Sequence, residues 1–260
     1  MTTVRDKTAI VTGGANGIGN HYCQQLLRNG AKAVAILDLP DSNGDVFASK
    51  LNEEFGAGRA IFFPLDVANF DQLEVVFKNA VEALGGLDIL INNAGIVNDF
   101  EYQKMIEINF TALVKSTLLG YDYMGTHKAG KGGIVVNVAS IAGLIIVDLV
   151  PVYTATKHAV LAFTVALKDS YERTGVSVRV MCPGVTETPL LTEANNKHLD
   201  IFDKDEAAKY QLGLPRQPAE HVGKAMIKLI EKGSNGAVWV TQKSEPPFEV
   251  ELAKYEMIKL

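Results

Sequence analysis

Thr8-Ala9-Ile10-Val11-Thr12-Gly13-Gly14-Ala15-Asn16-Gly17-Ile18-Gly19 is the stretch on which the reading of the whole chain turns. Its first half is a short β-branched apolar run, which reads as a strand. Its second half is a glycine-rich turn that opens a helical pattern. Glycine lets the main chain turn sharply and approach a ligand without side-chain collision. The free N–H groups and the dipole at the start of the following helix favour an anion such as a diphosphate. The spacing is Gly-x3-Gly-x-Gly rather than G-x-G-x-x-G, so the flanking strand and helix are what give the turn its meaning.

Outward from that turn the pattern repeats. Strands are expected at Thr8–Val11, Ala33–Leu37, Ile61–Leu65, Ile89–Asn92, Ile134–Val138, Val176–Met181 and Ala237–Thr241. These runs are continuously apolar rather than alternating, which suits parallel strands covered on both faces. Helices are expected at Gly17–Asn29, Asp45–Phe55, Phe70–Leu84, Tyr102–Thr126, Val152–Thr174 and Pro218–Lys232. The alternation predicts an α/β fold, a doubly wound, Rossmann-type, seven-stranded parallel sheet with helices on both faces. No linker or repeat divides it, so residues 1–260 are expected to form a single domain. The long connection 186–217 breaks the rhythm at a strand end, where ligands bind in such sheets, and reads as a substrate lid.

Composition narrows the function. The 260 residues carry 25 Lys and Arg against 30 Asp and Glu, a formal net charge of -5, and a mildly acidic protein is a poor binder of nucleic acid. Cys23 and Cys182 make no disulfide framework, and the five histidines have no metal-ligand spacing, so no metal is expected. The chain shows neither a signal peptide nor an apolar run of membrane length. A cytoplasmic protein without a membrane span is the expectation.

Further residues carry chemistry. Asp38 ends the second strand, about twenty residues past the glycines, where a carboxylate accepts hydrogen bonds from an adenosine ribose and repels a 2′-phosphate. This predicts NAD rather than NADP, with Leu39 beside it. Asp66-Val67 at the third strand end either meets the adenine or caps the next helix. Ser140 ends the fifth strand. Tyr153 and Lys157 lie four apart, on one helix face. A tyrosine titrates near 10, and a neighbouring ammonium, together with an oxidised nicotinamide ring, would stabilise the phenolate and lower that value. Aliphatic residues from Ile141 to Val150, with Val185, Leu190 and Leu191, suit an apolar pocket.

Taken together, Thr12–Gly19, Asn92-Asn93-Ala94-Gly95, Asn109, Ser140, Tyr153-x3-Lys157 and Pro183-Gly184 make the chain resemble the short-chain dehydrogenase/reductase family over nearly its whole length. Within that family it is similar to the hydroxyprostaglandin dehydrogenases at Leu119–Met124 and Pro151–Tyr153, and to the insect-type alcohol dehydrogenases at Asn109–Val114 and Asn235–Trp239. The resemblance implies that Tyr153 is the acid/base, that Lys157 holds the nicotinamide ribose and tunes Tyr153, that Ser140 orients the substrate oxygen, and that Asn109 holds a water linking Lys157 to solvent. It implies cofactor contacts at Gly13, Asn16, Gly17, Ile18, Gly19, Asp38, Leu39, Asp66, Val67, Asn93, Gly95, Pro183, Gly184, Val185, Thr186 and Thr188. Substrate contacts are implied at Ser140, Val150, Tyr153 and Leu190.

Two departures stand out. The prostaglandin enzymes carry a substrate-contacting glutamine three positions before the tyrosine, where this chain has Val150. After Trp239 the usual glycine pair is missing. The expected function is NAD-dependent oxidation of the secondary hydroxyl of an apolar alcohol to a ketone, the alcohol being lipid-, isoprenoid- or steroid-like or simply aliphatic. The alternatives are an NADPH-dependent carbonyl reductase, for which neither Ala15-Asn16 nor Leu39-Pro40 supplies a basic residue, and a catalytically silent cofactor-binding protein. Family members pair through the helices that here span Tyr102–Thr126 and Val152–Thr174, so a homodimer is expected.

Overall fold

The computed structural model describes residues 3–193, 197–202 and 213–252. Five parallel strands come first in the chain: β1 (Thr8–Thr12), β2 (Ala33–Asp38), β3 (Ala60–Pro64), β4 (Ile89–Asn92) and β5 (Gly133–Val138). They are followed by β6 (Val176–Pro183), a two-residue pair β7 (Thr186–Glu187) and β8 (Gln217–Pro218), and then β9 (Val238–Thr241) and β10 (Phe248–Glu249). The main sheet has the order β10-β9-β6-β5-β4-β1-β2-β3. The expected seven strands are all present and all parallel. An eighth was missed: β10 pairs antiparallel with β9 at one edge. Its two residues are too short a run for alternation to register.

The strands are apolar throughout because both faces are covered. On one face Val11, Ile36, Ile91 and Val136 pack against Tyr22, Cys23 and Leu26 of α1 (Gly17–Arg28), and against Val222 and Met226 of the helix Ala219–Lys232. The alternate residues Ile10, Leu37, Leu90 and Val135 face the other way, onto Leu73 and Phe77 of α3 (Phe70–Leu84). Burying a Phe or Leu side chain contributes about 1.5–3 kcal/mol, and Ile10, Leu37, Leu73, Phe77 and Leu90 are all fully buried. Between β2 and β3 runs α2 (Gly44–Phe55).

Both long helices are interrupted. The expected helix from Tyr102 divides into α4 (Tyr102–Ile106), a π-helical turn at Glu107–Thr111 and α5 (Ala112–Met124). The second divides into α6 (Pro151–Ala166), a 3₁₀ turn at Leu167–Ser170 and α7 (Tyr171–Thr174). After β7 come α8 (Pro189–Glu193) and, following β8, α9 (Ala219–Lys232). Parts of the expected lid, 194–196 and 203–212, lie outside the described residues. Its two ends meet, because β7 pairs with β8 in parallel. Gln217 fastens that base: its amide donates to the Thr241 carbonyl at 2.7 Å and to the Thr186 hydroxyl at 3.3 Å, and its oxygen accepts from the Thr241 hydroxyl. Among the described residues no helix is long and apolar enough to cross a membrane.

Candidate active site

The strand order reverses between β1 and β4, and the crevice beyond their carboxyl ends is where such sheets bind ligands. The glycine turn lies there. Gly13 takes a positive φ of 63°, and a side chain on it would press to 2.9 Å from the Ala94 main chain. A side-chain carbon on Gly19 would collide with the Gly13 carbonyl oxygen. Gly17 is also in the left-handed region. Asn16 caps α1 by position only, since its side chain accepts nothing, and the first turn of α1 holds no acidic residue. The opening N–H groups of this helix are therefore available to an anion.

Neighbouring loops brace the turn. Asn93 donates through its amide to the carbonyls of Thr12 and Gly13 at 3.1 and 3.0 Å, so its side chain is a strap across the turn. Asp38 accepts from the N–H of Ala15 and of Leu39, each at 2.8 Å, one on each carboxylate oxygen. Burial pushes its carboxyl above the usual range, and those two amides work against that shift. Leu39 is exposed beside it. Val67 turns its side chain into the core, and Asp66 accepts from the Ala68 N–H. The cap of α3 is Asn69, which accepts from Gln72, so Asp66 does not fill that role. These residues, a carboxylate-bearing strand end and an uncapped glycine cradle, fit a dinucleotide.

A cavity of about 260 Å³ opens farther along the same edge. Ser140, Tyr153 and Lys157 line it together with Ile18, Asn93, Gly95, Pro183, Gly184, Val185, Thr186 and Thr188. The expected substrate residues Val150 and Leu190 line it too, among aliphatic side chains from Ile141 to Leu149. Gly13, Asn16, Gly17, Gly19, Asp38, Leu39, Asp66, Val67 and Asn109 are outside its lining. His198, Leu214 and Val97 are lining residues that the sequence did not single out. Their only signal was position, two of them within the expected lid.

Lys157 is buried, donates to the Val138 carbonyl at 3.1 Å, and holds its ammonium 5.6 Å from the centre of the Tyr153 ring. Ser140 accepts from the Ala142 N–H at 3.2 Å and donates to the Pro183 carbonyl at 3.5 Å. The expected lowering of the phenol draws on an oxidised nicotinamide ring as well as the ammonium; burial in the protein itself acts against it. Burial pushes Tyr153 up to about 12, with a hydrogen bond from Ser140 opposing, and burial pushes Lys157 down to about 8. Desolvation disfavours each charged form and is the largest cause of both shifts.

Asn109, fully buried in the π turn, accepts from the Ile96 N–H at 2.8 Å and donates to the Ile96 carbonyl and to Thr156. Its carboxamide is thus a strut for the loop after β4. That accounts for a polar residue inside a helix. A side chain on Gly95 would lie 3.2 Å from the Asn109 oxygen and 3.6 Å from the Lys157 nitrogen, which puts these groups around one point. Beneath them Asn92 donates to Thr117 and Asn137, and Asn137 donates to Thr164, a buried chain that locks β4 and β5 to α5 and α6.

Comparison with known proteins gives the same picture. The family model described as short chain dehydrogenase matches residues 7–199. The chain is 37% identical over 243 residues to the 15-hydroxyprostaglandin dehydrogenase [NAD(+)] of Rattus norvegicus, covering 90% of each sequence. It is 36% identical to that of Homo sapiens, again with 90% of each covered. Among solved structures, a levodione reductase superposes with a TM-score of 0.80 at 22% identity, over 94% of this chain and 98% of the other. That last likeness concerns the fold.

Proposed function

The chain belongs to the short-chain dehydrogenase family of oxidoreductases, and on that premise we propose that it oxidises the secondary hydroxyl of an apolar alcohol to a ketone with NAD. The observation that carries the reading is the convergence of Ser140, Tyr153 and Lys157 on one aliphatic cavity beside the glycine cradle. The diphosphate would rest on Gly13–Gly19, the adenosine ribose on Asp38, and the nicotinamide half along Asn93, Gly95 and Pro183–Thr188. When bound, the nicotinamide supplies the acceptor for the substrate's hydride and, oxidised, a positive charge close to Tyr153.

The chain's own residues do the rest. The aliphatic wall excludes water and aligns the carbinol carbon. Ser140 holds the substrate oxygen, and Tyr153 Oη takes the hydroxyl proton. For that the phenol must ionise, and a phenol held near 12 by burial needs a cation beside it. Lys157 supplies one such charge, at an energetic cost that its lowered value records. Asp38, with no basic residue at Leu39 or Asn16, favours NAD over NADP.

The same reading takes residues 1–260 as one cytoplasmic domain that dimerises through α5 and α6. Leu118 on α5 and Ala155 and Ala162 on α6 are exposed there. The decisive assay is NAD reduction by purified protein against aliphatic, isoprenoid, steroid and hydroxy-fatty alcohols, with Tyr153→Phe alongside. Turnover in the wild type and its loss in the variant, with NAD affinity retained, are expected. Near-normal turnover by Tyr153→Phe removes the phenol from the reaction.

A further inference from the structure

Helix α6, which carries Tyr153 and Lys157, begins without a cap of its own. Its N-cap residue is Val150, whose side chain accepts nothing, and Pro151 follows at the first position. The N–H groups of the first turn therefore need acceptors from elsewhere. One residue provides them. Asp99, fully buried in the loop after β4, accepts from the Val152 N–H at 2.9 Å and from the Tyr153 N–H itself at 3.2 Å. Burial pushes this carboxyl above the ordinary range, and the two amides and the nearby His198 pull it back.

The main chain of Asp99 makes a second tie. Its N–H donates to the Lys197 carbonyl at 3.0 Å. The next residue, His198, lines the cavity and bonds through Nδ1 to the Leu149 carbonyl at 3.2 Å, just ahead of the same helix start. Three segments that are distant in sequence thus meet at one residue, Asp99: the β4–α4 loop, the stretch containing Lys197 and His198, and the first turn of α6.

We propose that Asp99 is a positioning residue for this reaction: its carboxylate fixes the main chain of Tyr153, and its main chain holds the wall containing His198 against the same turn. The proposal rests on the dehydrogenase reading above. Tyr153 projects its oxygen from the third residue of a helix, where fraying is greatest, so a small drift of that turn moves the proton acceptor relative to the substrate. A misplacement of about 1 Å can cost about 100-fold in rate. Asp99 touches neither substrate nor cofactor in this account, and its effect passes through Tyr153.

The test compares wild type, Asp99→Asn, Asp99→Ala and Tyr153→Phe at a temperature well below the melting point of each. Asparagine keeps one acceptor and alanine keeps none. Expected is a fall in kcat of about 10- to 100-fold for alanine and a smaller one for asparagine, with KM for NAD unchanged. Hydrogen exchange should quicken in segments 150–156 and 197–202 and nowhere else. A role confined to stability would lower the melting point and leave kcat alone, and that result overturns the proposal. So does a loss of NAD affinity in step with kcat, or unaltered exchange in both segments. If alanine fails to fold, the asparagine variant decides by the same readouts. An inactive wild type removes the dehydrogenase reading itself; an active wild type, a dead Tyr153→Phe and an unimpaired Asp99→Ala remove the positioning role alone.

Discussion

Replacing Asp38 by asparagine separates what its shape does from what its charge does. The wild-type carboxylate serves two amides, Ala15 and Leu39, one with each oxygen. Asparagine has a single oxygen, so one amide is left facing an NH2 group. The lost bond is charge-assisted and contributes about 1.5–3 kcal/mol. Unfolding entropy near 2.1 cal/mol/K per residue gives about 0.5 kcal/mol per degree for 260 residues, so the melting point should fall by about 3–5 °C. Relief of the burial cost on the charge offsets part of this, which favours the lower end. If the carboxylate also binds the ribose, NAD affinity should weaken by about 10- to 150-fold for the same 1.5–3 kcal/mol. NADP should lose less or gain, because the like charge has gone. Thermal unfolding and fluorescence titration with each nucleotide measure both effects. An unchanged NAD-to-NADP ratio would refute the electrostatic account of selectivity, and an unchanged melting point would refute the bracing of the turn.

Lys157 gives a pH dependence with a definite sign. Its folded value, about 8, lies below its ordinary 10.5, so between them the unfolded chain binds more protons and stability rises with pH. Denaturant unfolding across that window should show wild type gaining on Lys157→Met, and parallel curves would deny that the ammonium is buried at a cost. Val150→Gln places an amide in the aliphatic wall. KM should rise several-fold for a plain aliphatic alcohol, and less, or not at all, for one bearing a second polar group, about 1 kcal/mol of discrimination. A constant ratio of the two KM values removes Val150 from the substrate wall.

The sheet was legible because burial on both faces leaves a direct mark: a run such as Ala33–Leu37 is apolar at every position, whichever way each residue points. The turn Gly13–Gly19 was legible because steric demand selects glycine position by position. The breaks in the long helices were not. The π turn around Asn109 answers to Ile96 and Thr156, partners 13 and 47 residues away. Asp99 was missed for the same reason, since Val152 lies 53 residues further on. Its trace in the sequence is negative, a helix opening with Val150-Pro151 where Ser, Thr, Asp or Asn is usual. The burial of Tyr153, which acts against the expected lowering, was not legible because residue spacing reports proximity and says nothing of desolvation.

Gln217 and the β7–β8 pair have a consequence for how this protein can change. The chain departs from the sheet at Thr186–Glu187 and returns at Gln217–Pro218, side by side, with the knot at Thr241 closing behind it. The span between those two posts is fixed by that pairing. Leu190, His198 and Leu214, which help enclose the cavity, lie between those posts, whereas the glycine turn Gly13–Gly19 does not. On the proposed reading, changes from Leu190 onward would retailor substrate choice, while Thr188, which sits between the same posts and against Gly17, would have to stay with the coenzyme.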